Sequence, residues 1–485
     1  MAKDKSDIWN SPLTRSAIRS NEVKLPEMLI GYLIGPFGAL LSSGIFTSFL
    51  SKYFTDVLQL NTGFLSALQL VSTILIVAAN LVVGQLIERT KTMAGKARPW
   101  VLLSALTLSI ASVLMFIVPF KNEAAKMVWI AIAYNLYYAF AFPIYNTANS
   151  TLVPVSTRDS KQRSALASFT NIAGLGVMGV GSMIFPVLVA NVMKENQSMW
   201  FLVMLAVGIF TGLTILLQFR FTRERVTEES LKEGASEEKT ASPSISDQLK
   251  AVTSERWWWI AIIFYMVFQW SGAMKNGSMV YFCQWVVKAG NIPGGYGTVQ
   301  TILAVMGAIP MAIAALFVVP LSNKFGKRLV TLVGMLIGVL GGVIAGLGGG
   351  YIVPTAIGVA LKCLGSAPAA YLILAMLADV IDHVEYKHNI RTDGLTMSIY
   401  SSIMVAATPI CNAIFMAMLG AAGYVPPDAA GTVVSQTVNV EVTIGVGYIW
   451  IETIAYAICA LLIFLWTVEK NLPAEQAEIK RRKGA

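Results

Sequence analysis

Long apolar runs separated by short polar ones organise this chain. A helix needs about 20 predominantly apolar residues to cross a hydrocarbon core, and runs near that length recur about twelve times. One set of six lies near 27–50, 63–86, 100–120, 127–153, 165–192 and 199–220. The other lies near 257–286, 299–321, 328–348, 352–379, 395–420 and 444–467. Many runs contain Gly, Pro, Ser and Asn, which membrane helices tolerate when neighbouring helices re-satisfy the backbone. Residues 222–256 interrupt the pattern: they open with Thr222-Arg223-Glu224-Arg225, include the polar stretch from Glu228 to Asp247 and hold no long apolar run. The pattern predicts an all-α integral membrane protein with a six-helix bundle over 1–221, a partly helical cytoplasmic linker over 222–256, and a second six-helix bundle with a cytoplasmic tail over 257–485. Such two-fold repetition is typical of secondary transporters.

Composition supports the membrane assignment. Of the 485 residues, 55% are hydrophobic and 13% charged, and the mean hydropathy is +0.65. Soluble domains carry roughly 45–50% apolar and about 25% charged residues. The four cysteines, Cys283, Cys363, Cys411 and Cys459, all fall in apolar runs, which excludes a disulfide scaffold. Residues 1–25 are polar and mixed in charge, unlike a signal peptide, so the runs predict permanent spans of a multi-pass cell-membrane protein. The net charge of +9 fits basic cytoplasmic loops and requires no nucleic-acid partner. With both termini inside, Lys52, Lys121, Lys126, Lys194 and Lys288 are the only Lys or Arg of the 36 in outside segments. Lys275 and Lys362 fall within spans, and the rest lie inside, as the positive-inside rule demands.

Two basic turns occupy equivalent places in the halves. Gly84-Gln85-Leu86-Ile87-Glu88-Arg89-Thr90 and Gly95-Lys96-Ala97-Arg98-Pro99-Trp100 follow the second run. Pro320-Leu321-Ser322-Asn323-Lys324-Phe325-Gly326-Lys327-Arg328 follows the eighth. This pairing resembles the major facilitator superfamily. The Gly95–Trp100 turn is similar to the GK(F/R)RPW turn of the glycoside–pentoside–hexuronide:cation symporter family. Asp379-Val380-Ile381-Asp382 with Arg391-Thr392-Asp393-Gly394, and Leu152-Val153-Pro154 with Asp159 and Arg163, resemble that family's signatures after spans ten and four. The resemblance extends from about Tyr53 to Gly423. It implies a major facilitator fold, alternating access, cation coupling, glycoside-type substrates, and gate or loop roles for Arg98, Arg163, Asp379, Asp382, Arg391 and Asp393. An animal branch of the family carries lysophospholipids.

The family's polar centre is replaced in this chain. Where sodium-coupled members carry cation-binding aspartates on span two, Ile76 and Asn80 stand here. Leu40 and Asn146 occupy the places of sugar-binding aspartates, Thr73 and Asn171 those of arginines, and Val405 that of a lysine. Thr73, Ile76 and Asn80 thus mark only a weak equivalent of the cation site. Neither Ile76 nor Asn80 supplies a negative charge, so a proton is the expected coupling ion, if transport is coupled at all.

New charges stand instead at Lys275 and Lys362, deep in the seventh and tenth runs. A charged residue at such depth costs several kcal/mol and marks a functional position by default. At helical spacing Lys275 shares a face with Phe264, Phe268, Ser271, Ser278 and Phe282; Lys362 shares one with Thr355, Gly358, Gly365, Ser366 and Ala369. Glu27, Asp379 and Glu452 read as lying near span ends, so the two cations lack an evident counter-ion and predict an anionic substrate. Alternatives are snorkelling to the interface and a structural ion pair. The fourth run carries Asn135, Tyr138, Phe142, Tyr145, Asn146 and Asn149, where amides suit sugar hydroxyls and aromatic faces suit a pyranose. The alternative for these asparagines is helix–helix hydrogen bonding. The candidate substrate-binding residues are therefore Lys275, Lys362, Asn146, Asn149, Tyr145, Tyr138, Asn135, Phe268, Ser271 and Asn171. His383 and His388 read as solvated loop residues. No HExxH, Walker A or nucleophile-elbow pattern occurs in a fitting context, and no metal or cofactor is expected. The function predicted is a monomeric carrier of an anionic glycoside, such as a hexuronide or sulfonated sugar. A carrier of amphipathic organic anions or lysolipids, and a non-transporting sensor or membrane enzyme, are the alternatives.

Overall fold

The computed structural model describes residues 15–90, 92, 94–232, 245–288, 292–293, 295–390, 392–427 and 435–482. Each expected apolar run is helical, and among the described residues there are isolated bridges but no strand. Nine helices among those residues are long and apolar enough to cross a membrane. Arg98–Leu114, in the third run, is a shorter apolar helix. The fifth run is the helix Ser160–Leu188 continued by the π-helical turn Val189–Met193, and the seventh is Arg256–Tyr281 continued by Phe282–Val286. The linker is helical over Arg225–Lys232 and Ile245–Thr253.

The chain divides into two compact units, Met1–Glu238 with Pro427–Thr432, and Lys239–Pro426 with Val433–Ala485. In the first unit, the basic turn before Arg98–Leu114 is held from a distance in sequence. Helix N-termini leave backbone N–H groups without partners, and here Glu224 supplies the acceptor. Its carboxylate takes the N–H groups of Lys96 at 2.8 Å, Ala97 at 2.9 Å and Arg98 at 2.8 Å. Arg98 in turn donates to the carbonyls of Ala94 at 3.1 Å and Phe219 at 3.0 Å. Gly95, at φ +112°, leaves room for that carboxylate, which a Cβ would overlap.

The second unit repeats the device. Glu469 takes the N–H groups of Lys327 at 2.8 Å and Arg328 at 3.1 Å at the start of Lys327–Leu347. Gly326, at φ +86°, precedes them, and Arg328 reaches the carbonyls of Ile463 and Phe464. The sequence carried the signal: Thr222-Arg223-Glu224-Arg225 after the sixth run parallels Thr467-Val468-Glu469-Lys470 after the twelfth. At both turns the glycine leaves space beside a carboxylate. Replacing Glu224 by Ala strands buried N–H groups and should cost about 2–4 kcal/mol. A thermal melt of purified protein unchanged by Glu224→Ala would remove this role.

Two expectations change, for Lys52 and for the two histidines, while Glu27 stands at a span end as expected. Lys52 is not in a loop: it lies at the end of Phe37–Lys52, buried, 2.5 Å from Asp56. Glu27 is also buried and pairs with Arg225 at 2.7 Å, tying the start of the linker to the first unit. His383 and His388 are not solvated loop residues, because the helix Ile352–His388 runs on past the apolar segment. His383 lies 2.9 Å from Glu475, and His388 lies 2.8 Å from Glu255. Burial opposes the charge of Glu255, but hydrogen bonds with Lys387 and His388 outweigh it and hold the carboxyl below its usual range.

Candidate substrate site

The second unit brings three charges together, and glycines set the geometry. Along Lys327–Leu347, Gly334, Gly338, Gly342 and Gly346 recur every fourth residue. Small residues at this spacing allow helices to approach closely. A Cβ at Gly334 would meet the Gly365 carbonyl at 2.5 Å, and one at Gly341 the Gly358 carbonyl at 2.6 Å. Lys362 lies between Gly358 and Gly365 on Ile352–His388 and is thereby fixed in depth. Gly338, Gly342 and Gly346 abut Tyr456, Thr453 and Trp450, the side chains flanking Glu452. The same glycine-rich helix therefore positions a lysine on one neighbour and a carboxylate on another.

Glu452 is 2.5 Å from the Lys362 ammonium through Oε2 and 3.1 Å from the Lys275 ammonium through Oε1. The Tyr456 hydroxyl donates to Oε1 at 2.8 Å, and Lys362 reaches the Ile449 carbonyl at 3.4 Å. Ile449 sits in the π-helical turn Val446–Trp450, just before Glu452. The expectation that the lysines lack a counter-ion is therefore corrected. Glu452 is not near a span end: Thr437 caps the helix, which starts at Val438 rather than near 444 and runs to Leu465, so Glu452 falls in its middle. The polar Asn439, Glu441 and Thr443 obscured that start.

The lysines are not equivalent. Lys362 has 4% of its side chain exposed and Lys275 has 21%, so Lys275 is the less enclosed of the two. Snorkelling describes neither. Beside them, Phe264 and Phe268 stack at 6.3 Å, and Phe268 stacks on Tyr456 at 6.2 Å. Ser271 is buried and donates to the Phe268 carbonyl at 2.9 Å. Ser271 and the aromatic stripe thus support the bundle around the charges.

In the first unit the fourth-run stripe separates into used and unused groups. Tyr145 is buried and donates to Gln218 at 3.1 Å; Gln218 donates to Asn149 at 2.6 Å. Asn135 donates to the Ala131 carbonyl at 2.9 Å, while its own side-chain carbonyl oxygen is buried and, among the described residues, accepts no hydrogen bond. Tyr138 packs on Tyr134 at 4.5 Å and Tyr137 at 5.0 Å. Asn146 is half-buried and, among the described residues, no hydrogen bond engages its side chain. The Asn171 side chain lies outside the described residues. Thr73 donates to the Gln69 carbonyl at 2.8 Å, Asn80 to the Ile76 carbonyl at 2.8 Å, and Ile76 is buried. Each of these polar groups bonds within its own helix.

Among the expected gate residues, Asp379 is 2.6 Å from Lys327, Asp382 accepts from Gln476 at 2.8 Å, and Arg163 donates to the Arg158 carbonyl at 3.1 Å. Arg391 and the Asp393 side chain lie outside the described residues.

Comparison with known proteins agrees with this architecture. Residues 31–470 match the MFS/sugar transport protein family. The isoprimeverose transporter of Lactiplantibacillus pentosus is 27% identical over 97% of this chain and 95% of its own length. A glucuronide carrier protein homolog of Escherichia coli is 21% identical over 93% of each. In fold, the nucleoside transporter NupG superposes with a TM-score of 0.60 at 12% identity, over 91% of this chain and 98% of that one. The chain therefore belongs to the MFS/sugar transport protein family, within its glycoside–pentoside–hexuronide:cation symporters, and is a multi-pass transporter of the cell membrane rather than an enzyme.

Proposed function

We propose that this protein is a secondary transporter, working by alternating access, for a glycoside that carries an acidic group. In this reading it acts as a monomer, spans the membrane twelve times with both termini cytoplasmic, and joins bundles 1–221 and 257–485 through the linker 222–256. One observation carries the substrate class: two lysines share a single buried carboxylate, which leaves one positive charge in excess, assigned in this reading to Lys275, the less enclosed of the two. A hexuronide carboxylate or a sugar sulfonate would neutralise it. The isoprimeverose transporter among the relatives supports the sugar part, and the similarity to a glucuronide carrier protein homolog supports the acidic part. Asn146, half-buried, is a fourth-run group placed to meet a hydroxyl in this reading. The Phe264–Phe268–Tyr456 stack is committed to packing, which disfavours the lysolipid alternative.

Proteoliposome uptake of 4-nitrophenyl β-D-glucuronide against the matching glucoside tests this reading. The glucuronide should be preferred, and replacing sodium by potassium at fixed pH should leave uptake nearly unchanged, because Ile76 and Asn80 offer no carboxylate. A preference for the neutral glucoside would remove the anionic reading. Sodium-dependent affinity abolished by Asn80→Ala would remove the expectation of proton coupling.

A further inference from the structure

We infer that Glu452 is an internal counter-anion that stands in for the substrate's acidic group at Lys275, and so makes possible the return of the empty carrier. The inference rests on the anionic-glycoside reading above and assigns a residue that the family motifs do not contain. Glu452 uses its two oxygens unequally. Oε2 is bound to the buried Lys362 at 2.5 Å, whereas Oε1 meets the more exposed Lys275 at 3.1 Å and also accepts from Tyr456. Lys362 is a fixed partner, held additionally by the Ile449 carbonyl. Lys275 is the exchangeable one.

An arriving carboxylate or sulfonate takes Lys275 from Oε1. Glu452 then remains ion-paired with Lys362 through Oε2 and hydrogen-bonded to Tyr456 through Oε1. With the site empty, Lys275 returns to Oε1, and neither ammonium is left without a carboxylate. The loaded carrier thus moves a neutral cluster, and the empty one moves a single excess positive charge that Glu452 still contacts, whereas an ammonium with no carboxylate within a membrane bundle costs several kcal/mol. Because Glu452 competes for Lys275, it also lowers affinity for the anion.

The test separates exchange from net flux. Exchange needs only the loaded carrier to reorient; net efflux also needs the empty one. Glu452→Gln leaves two cations against one another, so the double variant Glu452→Gln/Lys362→Gln is used beside it, keeping the wild-type charge with no internal anion. In proteoliposomes the double variant should bind 4-nitrophenyl β-D-glucuronide at least as tightly as wild type, with a gain of about tenfold expected from loss of the competitor. It should retain glucuronide exchange and lose most net efflux, by about tenfold or more. Glu452→Asp should keep both. Net efflux in the double variant that keeps pace with its exchange overturns the inference while the substrate reading stands. Weaker glucuronide binding together with loss of both fluxes, in a variant that melts like wild type, also overturns it. A wild type that does not prefer the glucuronide overturns the substrate reading and this inference together.

Discussion

Replacing Lys275 by Gln is expected to weaken binding of an acidic glycoside by about tenfold to a hundredfold, and to leave its neutral counterpart nearly unaffected. The change keeps polarity and approximate length but removes the charge. With Lys275 neutral, Glu452 and Lys362 form a closed pair of zero net charge, and nothing in that cluster attracts an anion. A hydrogen bond to a charged group contributes roughly 1.5–3 kcal/mol, which corresponds to that range of affinity. Binding of the glucuronide and glucoside to wild type and Lys275→Gln, by ligand-induced thermal shift, reads the difference directly. Equal losses for both ligands would reduce Lys275 to a structural role. Lys362→Gln should also weaken the glucuronide selectively, but indirectly: Glu452 would then hold Lys275 alone and compete harder.

The largest stability effect should follow from deleting the shared carboxylate. Glu452→Leu leaves Lys362 and Lys275 in the bundle without their acceptor and takes away the partner of the Tyr456 hydroxyl. Breaking a buried ion pair from one side costs about 3–5 kcal/mol, because the remaining charge stays desolvated. Adding Lys362→Met should recover much of that loss, since an apolar replacement of a buried pair is often close to neutral. Thermal melts of the single and double variants form the cycle that isolates the coupling. Additive losses would mean that Lys362 and Glu452 do not stabilise one another.

Much of the architecture was legible in the sequence because lipid imposes a simple rule. Backbone groups must be satisfied within a span, so apolar runs near spanning length become helices, and each expected run is one. The turns around Gly95 and Gly326 were legible too, as short basic loops at matching places. The partners that hold them were not. Glu224 and Glu469 lie far from those turns along the chain and meet them only through helix packing.

The candidate site divides in the same way. The sequence by itself determined that Lys275 and Lys362 sit deep in apolar runs, and its resemblance to the family implied that Ile76 and Asn80 stand where sodium-coupled members carry carboxylates. It could not pair the lysines, because their acceptor is separated from each by more than eighty residues and its helix begins earlier than hydropathy suggests. Only the tertiary structure brought Glu452 to both ammoniums. The physical reason is the Gly334–Gly346 series, which lets two helices close on a third at distances that any larger side chain would forbid. Along the fourth run the sequence named the right residue types but not their use. Packing against Gln218 engaged Tyr145 and Asn149 and left Asn146 half-buried and, among the described residues, without a side-chain hydrogen bond.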